Sequence, residues 1–366
     1  MFVTRTGSLN ALEQTESSTR FWHNWLGTSL PSADTLGRVM DRTDPDTLRG
    51  MLQEVYTKLK RNKALRPTTH GLMALAIDGH ETQATYMRQC EGNLERRIKK
   101  SSGDRTQYYH RQVTAMLLCA DLPLLLDVEM LRPNDSELTA AKRLLERVLM
   151  NYPRAFDVVV GDALYSDAGI FKLLTKHGKD VVSVLKKNQK DILADAETLM
   201  ASTKPVLDED TGKTWNVVHD LSGFSFNSEP DKVLRVVRSQ GGRRVRRQID
   251  GQPKEVMSQW YWLTTCSSSR ASHQAVVALG HARWDIENQG FNEAVNQWRA
   301  DHVYKHSTEA ILTFWLMAML AFNLFHAFCL RNLKAEIWRQ CSRLHIARCL
   351  ASSLYTTQPA PEALPP

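Results

Sequence analysis

Residues 156–201 alternate apolar runs with amphipathic stretches, and this alternation restricts the fold more than any other feature of the chain. FDVVVGD and KDVVSVLKKN are typical of buried strands, whereas AGIFKLLTKHG and QKDILADAETLMA have the apolar spacing of helices. Gly178 follows the first of these helices, at the position where a left-handed residue commonly ends one. Strand, helix, strand, helix in succession predicts parallel pairing through right-handed crossovers.

A different order precedes this alternation. Residues 71–78 are typical of a buried strand, and QYYHRQVTAMLLCA and LPLLLDVEML predict two more strands, joined near Asp121. SELTAAKRLLERVLMNY then has helical periodicity and begins after Ser136, a favourable N-cap residue. Three successive strands before the first crossover predict antiparallel neighbours. The whole pattern therefore predicts an α/β fold in which helices flank a mixed sheet.

The periodicity changes again after residue 204. Residues 205–262 have no long helical period and contain short β-like runs, which predicts a β-rich insertion. Within it, Gln240-Gly241-Gly242 predicts a turn between two short strands. The expected organisation has five parts: an N-terminal helical region (1–70), the first part of the core (71–204), the insertion (205–262), the second part of the core (263–335), and a C-terminal helix with a Pro-rich, disordered tail (336–366).

One uncharged segment leaves two interpretations open. Residues 310–330, AILTFWLMAMLAFNLFHAFCL, are long enough to cross a bilayer, and they could also form the buried helix of a large core. The polar residues Asn323 and His326 inside the segment favour the buried helix. The first residues, MFVTRTGSLN, have no apolar region typical of a signal peptide. We therefore expect a cytoplasmic protein that is not associated with a membrane.

The charge of the chain bears on its partner. A formal charge of +7 favours a polyanion such as nucleic acid, because Lys and Arg release counterions from phosphates. Two local basic groups could be solvated surfaces, but we favour phosphate contacts for both. They are the Arg-rich run of Arg243, Arg244, Arg246 and Arg247, and the pair Lys186 and Lys187.

Two apolar runs end on an acid. AIDGHE carries Asp78 and VVVGD carries Asp162. If the two strands are parallel neighbours, both carboxylates reach the sheet edge where α/β proteins bind ligands. Two close carboxylates repel each other and invite a divalent cation, and Mg²⁺ prefers such oxygen ligands. Each Asp could instead form a turn or cap a helix.

A third acid is expected on a helix packed over this edge. HARWDIENQGFNEAVNQW predicts that helix and offers Asp285, Glu287 and Glu293, among which spacing does not choose. Arg283 lies four residues before Glu287 and shares its helix face. That pair could also be an exposed ion pair of little consequence.

These segments resemble one family. AIDGHE, FDVVVGDALYSDAGIF with VVSVLKKNQ, and HARWDIENQGFNEAVNQW with DHVYKHSTEA are similar to motifs of bacterial insertion-sequence transposases of the DDE class, in the group numbered four. The likeness extends from RTGSLNALEQ to FHAFCLRNLK. It implies an RNase H-like catalytic domain with a β domain inserted between its second Asp and its Glu, and an N-terminal helical region that binds DNA.

The resemblance also implies the site and its chemistry. The catalytic and metal-binding triad becomes Asp78, Asp162 and Glu287, with Arg283 as a DNA contact. The implied cofactor is two ions of Mg²⁺ or Mn²⁺, and the implied reaction is cleavage at the ends of the element followed by strand transfer. The implied partners are double-stranded DNA, as terminal repeats and as target, and a second copy in a synaptic dimer. Gly280 and Ala294 stand where the family signature has Tyr and Lys.

Two other functions remain open from the sequence. A metal-dependent nuclease that never joins strands would carry the same triad, so only its DNA products would distinguish it. A relative that binds DNA ends without cutting them is compatible with Gly280 and Ala294. The three intact carboxylates argue against that second alternative.

Overall fold

The computed structural model describes residues 8–14, 27–28, 30–68, 70–101, 103–246 and 253–356, which form one ten-stranded sheet with helices on both faces. The strands are β1 (Ala74–Thr85), β2 (Leu94–Ile98), β3 (Arg105–Leu118), β4 (Pro123–Met130), β5 (Val158–Gly161), β6 (Asp180–Val184), β7 (Leu207–Asp210), β8 (Thr214–Phe226), β9 (Glu229–Arg246) and β10 (Pro253–Thr264). This architecture confirms the predicted α/β fold with a mixed sheet.

Helices precede the sheet, connect its strands and follow it. They are α1 (Leu9–Gln14), α2 (Ala33–Arg42), α3 (Pro45–Arg61), α4 (Glu137–Asn151), α5 (Ala168–Lys176), α6 (Lys190–Ser202), α7 (His273–Ala282), α8 (Asn292–Trp298), α9 (Thr308–Asn332), α10 (Ala335–Gln340) and α11 (Arg343–Thr356). A π-helical segment (Ile286–Phe291) separates α7 from α8, so the single helix predicted there is interrupted. The Pro-rich tail after Thr356 lies outside the described residues.

The strand order explains where the helices lie. It is β2, β3, β1, β5, β6, β10, β9, β8, β7, and β4 also pairs with β3. The central five strands therefore run β4–β3–β1–β5–β6, with β1, β5 and β6 parallel and β3 antiparallel to β1 and β4. Parallel neighbours need a crossover, which α4 provides before β5 and α5 provides before β6.

Alternation along the central strands divides the apolar core between two faces of the sheet. Successive side chains of a strand point to opposite faces. Leu75 and Ile77 of β1 belong to the core under α4 and α5. Ala74 and Ala76 belong to the core on the other face, under α7, the π-helical segment and α9. The second face is the one that matters for the candidate site.

Helix α9 contains the uncharged segment. Among the described helices it is the one long and apolar enough to cross a membrane, and 61% of its most apolar window is buried inside the fold. Asn323 donates from Nδ2 to the Leu125 carbonyl at 2.7 Å, and its Oδ1 accepts from the Leu125 amide at 2.9 Å. A buried amide side chain thus pairs with the backbone of β4. These contacts support the interpretation of the segment as a core helix.

Two strands differ from the predictions at the start of the sheet. Strand β1 does not end at Asp78 but continues to Thr85, paired antiparallel with β3 except at an irregularity between Thr82 and Ala84. Strand β2 was not predicted, and it pairs with the first residues of β3. Both errors have one cause: the residues after Asp78 and those of β2 are polar, so the hydrophobic pattern that predicts strands is weak there.

The predicted turn at Gln240-Gly241-Gly242 is wrong. Strand β9 runs through these residues and pairs with β8 on one side and with β10 on the other. A Cβ at Gly242 would lie 2.4 Å from Nε1 of Trp215, so the glycine makes room for an indole ring from β8. The Arg residues of this motif therefore lie along one strand, except Arg247, which lies outside the described residues.

Candidate functional site

The two strand acids lie on one face of the sheet. The parallel pairing of β1 with β5 joins Ala74 to Val158 and Ala76 to Val160. Two residues further along each chain come Asp78 and Asp162, and the backbone of Asp162 is still extended, with φ −77° and ψ −171°. With a period of two residues, both carboxylates project to the face that carries Ala76 and Val160. The expected proximity of the two acids thus follows from the strand register.

Asp162 also has a local structural role. Its Oδ1 accepts a hydrogen bond from the Leu164 amide at 2.8 Å and caps the 3₁₀ turn Ala163–Tyr165. The following helix α5 has its own cap, because Asp167 accepts from the Ile170 amide at 3.0 Å. The capping alternative is therefore correct for one oxygen of Asp162, which leaves Oδ2 for other contacts.

Glu287 lies on the π-helical segment that packs against β1. The side chain is half exposed, and its Oε1 lies 3.3 Å from Nη1 of Arg283. Arg283 is itself largely buried, with its guanidinium 4.6 Å from the centre of the Trp284 ring. The predicted i, i+4 pair is therefore present, with its cation held against an indole.

The pKa of Asp78 depends on burial and on the charges of both other acids. Burial is the main cause that raises its pKa, from 3.8 to about 7. The Gly79 amide, which donates to Oδ1 at 2.8 Å, lowers the pKa, whereas the charges of Asp162 and Glu287 raise it further. The charge of Arg283 lowers it slightly. Asp78, Asp162, Glu287 and Arg283 thus form one electrostatic group at the carboxyl edge of the parallel strands.

The other two acids of the same region are engaged elsewhere. Glu293 is buried, and its Oε1 accepts from Nε2 of His326 at 2.9 Å and from the Trp298 indole at 3.2 Å. Asp285 accepts from Nε2 of Gln289 at 3.2 Å, and burial raises the pKa of Asp285. Among the three candidates, Glu287 is the one whose charge is a main cause of the raised pKa of Asp78.

A cleft of about 530 Å³ opens beside these groups. Asp78, His80, Glu287, Phe291 and Asn292 are among its lining residues, and the His80 ring stacks on Phe291 with 4.7 Å between ring centres. In the part of the chain that the structure describes, no three His, Cys, Asp or Glu side chains converge closely enough to hold one ion together. The donors nevertheless fit a hard cation, which prefers carboxylate oxygens and would offset the mutual repulsion that Asp78 experiences.

The two signature departures have a physical explanation in packing. A Cβ at Gly280 would lie 2.4 Å from the ring of Trp262, which is fully buried. The same indole packs against His281, with 5.1 Å between ring centres. Ala294 is buried as well, so a Lys there would place its charge in the apolar core under the sheet. Gly280 therefore has no room for a tyrosine, and burial disfavours the charge of a lysine at residue 294.

Lys186 and Lys187 lie beside the turn of Asp162. Both are exposed and follow the carboxyl end of β6, the parallel neighbour of β5. The next residue, Asn188, donates from Nδ2 to the Ala163 carbonyl at 2.5 Å. The two predicted phosphate contacts are therefore on the same sheet edge as the acids.

The insertion projects beyond this edge. Strand β10 pairs antiparallel with β6 through Trp262 and Val184, so its earlier residues extend past the end of β6. Arg243 of β9 is exposed and faces Val256, six residues before Trp262. At about 3.4 Å per residue, Arg243 lies ~20 Å beyond the end of β6. Arg244 and Arg246 continue the same strand, but their side chains are outside the described part, as is all of Arg247.

A five-stranded core of this order, with one acid on its central strand and another after the adjacent parallel strand, defines an RNase H-like domain. Residues 69–324 match the family model of the transposase DDE domain, and the chain belongs to this family. Its function is therefore that of a DDE transposase, a metal-dependent class that acts on DNA. No curated protein matches the chain.

Proposed function

We propose that the chain cleaves phosphodiester bonds at the ends of an insertion sequence and joins the released 3′ ends to target DNA. The observation that carries this proposal is the strand register, which places Asp78 and Asp162 on one face at the carboxyl ends of β1 and β5, with Glu287 on the segment that packs against β1. Such a group of acids suits cation-assisted phosphoryl chemistry rather than acid–base chemistry alone. The proposal extends to the group numbered four within the family and to the five-part organisation of the chain.

Asp78, Asp162 and Glu287 would hold the metal, as Mg²⁺ or Mn²⁺ and as two ions. When bound, such ions activate the attacking water and stabilise the leaving oxygen. Asp78 has the central position, since both other acids act on it. The chain's own residues supply three carboxylates whose charges repel until a cation neutralises them, together with an arginine that keeps Glu287 in place.

DNA contacts follow from the position of the basic residues. Lys186, Lys187 and Arg283 lie close to the acids, where they would bind phosphates flanking the scissile bond. Arg243 and the Arg residues after it would bind DNA further along, because β9 and β10 project past the edge. A synaptic complex that brings two ends together calls for two copies, so we propose a homodimer on DNA in the bacterial cytoplasm, at the nucleoid.

The test is Mg²⁺-dependent cleavage and joining of the element's own end DNA by the wild type and by Asp162→Ala. Asp285→Ala is the matched control, since it removes an acid two residues from Glu287 whose side chain accepts from the Gln289 side chain. We expect joined products from the wild type and from the control, and none from Asp162→Ala. Nicks without joined strands would support the nuclease alternative. Binding without cleavage by all three proteins would support the inactive relative.

A further inference from the structure

The pairing of β1 with β5 ends before it reaches the two acids. Its last paired residues are Ala76 and Val160, whereas Asp78 and Asp162 lie two residues beyond. At the acids, β1 is paired with β3 through Asp78 and Thr114, and β5 is paired with β6 up to Gly161, but β1 and β5 are no longer paired with each other. Side-chain contacts between the two segments therefore bear on the separation of the carboxylates, and a shift of about 1 Å in a catalytic group can cost roughly a hundredfold in rate.

Glu137 lies directly behind Asp78, on the opposite face of the sheet. It is the first residue of α4, and its carboxylate packs against Gly79. A Cβ at Gly79 would lie 2.5 Å from Oε2 and 2.6 Å from Oε1 of Glu137. Gly79 is thus the residue that lets this carboxylate approach the backbone next to Asp78.

Tyr165 connects the same carboxylate to the turn of Asp162. The buried Tyr165 hydroxyl donates to Oε1 of Glu137 at 2.8 Å. Its ring covers Gly161, where a Cβ would lie 2.8 Å from Cδ2 of the tyrosine. Tyr165 is also the last residue of the 3₁₀ turn that Asp162 caps. One hydrogen bond therefore joins the segment after β5 to the carboxylate behind β1.

Arg111 of β3 fixes the second oxygen. Its Nε donates to Oε2 of Glu137 at 2.5 Å, and Arg111 pairs in the sheet with Glu81 of β1. Both oxygens of Glu137 are thereby occupied, one by each neighbouring segment. Sequence reasoning did not identify this group, because an acid in the first turn of a helix and a buried tyrosine each have an ordinary structural explanation.

We propose that Glu137, Tyr165 and Arg111 are positioning residues that set the separation of Asp78 and Asp162 from behind the sheet, where the β1–β5 ladder has ended. This inference rests on the proposed function for its catalytic meaning. The three residues do not touch the cleft. They act through Gly79 and through the turn that follows Asp162. Substitution of residues that support metal ligands in this way typically lowers metal affinity or activity by about 10–100-fold.

Tyr165→Phe is the sharpest test, because it deletes one hydroxyl and keeps the packing of the ring. Tyr152→Phe is the matched control. Tyr152 is equally buried, and its hydroxyl donates to the Leu126 carbonyl at 3.3 Å and not to Glu137. Amide hydrogen exchange at Gly79 and Leu164 reports directly on the acids, since these amides donate to Asp78 and Asp162. We expect both amides to exchange ~10-fold faster in Tyr165→Phe and at the wild-type rate in Tyr152→Phe.

Magnesium titration and cleavage provide the functional readouts. In Tyr165→Phe, the Mg²⁺ concentration that gives half of the maximal rise in melting temperature should increase ~10-fold. Cleavage should slow by about 10–100-fold, with unchanged DNA affinity. Glu137→Gln, which keeps the oxygen that accepts from Tyr165 but loses the charge opposite Arg111, should have an intermediate effect. Unchanged exchange and unchanged Mg²⁺ dependence in Tyr165→Phe would overturn the inference.

The two proposals can fail separately. If the wild type neither binds Mg²⁺ nor cleaves DNA, the proposed function is wrong. The exchange rates of the Gly79 and Leu164 amides still decide whether Glu137, Tyr165 and Arg111 hold the two segments together. If the wild type cleaves DNA and Tyr165→Phe cleaves equally well, the function stands and the positioning role is wrong. Slower exchange in Tyr165→Phe than in the wild type would also contradict the positioning role.

Discussion

Asp78→Asn should stabilise the metal-free protein at neutral pH, although it removes a carboxylate from the candidate site. The substitution keeps the oxygen that accepts from the Gly79 amide at 2.8 Å. It removes only the charge that burial and the carboxylates of Asp162 and Glu287 disfavour. The loss of a catalytic group and a gain in stability would then come from the same change.

The magnitude follows from the pKa of Asp78, which rises from 3.8 to about 7. At 1.36 kcal/mol for each pKa unit, the shift corresponds to at most ~4 kcal/mol. Asp78 is only partly buried, and relaxation and solvent reduce the repulsion, so we expect ~1–2 kcal/mol in the free energy of unfolding. For a chain of 366 residues, that is a rise of ~1–3 °C in melting temperature.

The pH dependence has a definite sign. Between pH 3.8 and about 7 the folded protein binds a proton at Asp78 that the unfolded chain has released. Stability therefore falls as the pH rises through this window and is constant in this respect above it. The stability difference between Asp78→Asn and the wild type should be near zero below pH 4, widen up to about pH 7, and remain constant at pH 8.

Thermal unfolding in EDTA, followed by circular dichroism from pH 5 to pH 8, measures this difference. Asp127→Asn is the control on β4, because that buried carboxylate accepts from Arg49 at 3.0 Å and from Arg147 at 2.5 Å. The same substitution there takes one of two carboxylate partners from each arginine, since Arg49 keeps Asp46 and Arg147 keeps Glu129, and it should cost ~2–3 kcal/mol. A destabilised Asp78→Asn protein at pH 8, or a difference that does not change with pH, would refute the reasoning. Saturating Mg²⁺ should stabilise the wild type and not Asp78→Asn.

Two further predictions concern packing and DNA contacts. Gly280→Ala should destabilise the fold by ~1–3 kcal/mol, because the added Cβ would lie 2.4 Å from Trp262. Gly50→Ala on α3, where a Cβ would have nothing within 4 Å, should stabilise the fold by ~0.5–1 kcal/mol. Urea unfolding measures both changes, and equal effects would contradict the packing argument. Replacing Lys186 and Lys187 by Ala should weaken DNA binding and reduce the slope of log K against log salt by ~1–2, without changing the melting temperature; an unchanged slope would exclude them as phosphate contacts.

Local periodicity was sufficient to predict the strands and helices at the centre of the sheet. β5, α5, β6 and α6 were predicted close to their observed bounds, because each has a pattern that its own residues determine. The second half of β1 and the whole of β2 were not predicted, because their residues are polar and their strand structure depends on pairing with β3. The same is true of β9, where two glycines suggested a turn and an indole from β8 instead packs over one of them.

The candidate site was predicted in part for a related reason. The acids Asp78 and Asp162 follow apolar runs, so their position at one edge could be inferred from strand order. Spacing left Glu287, Asp285 and Glu293 open, and only the family resemblance named Glu287. The structure adds that Glu293 is buried against His326 and that the charge of Glu287 raises the pKa of Asp78. Spacing along one helix cannot contain that information, the more so because a π-helical segment changes the helical register there.

The incomplete signature is better explained by packing than by loss of function. Trp262 fills the space in front of Gly280, and its indole belongs to an aromatic group with Trp260, His281 and Trp284. The same Trp284 supports the guanidinium of Arg283, which contacts Glu287. A chain that had only lost its tyrosine would leave a cavity at this position, whereas here a larger ring on the neighbouring strand occupies it. The glycine and the tryptophan are complementary, so the departure at residue 280 does not by itself favour an inactive relative over an active transposase.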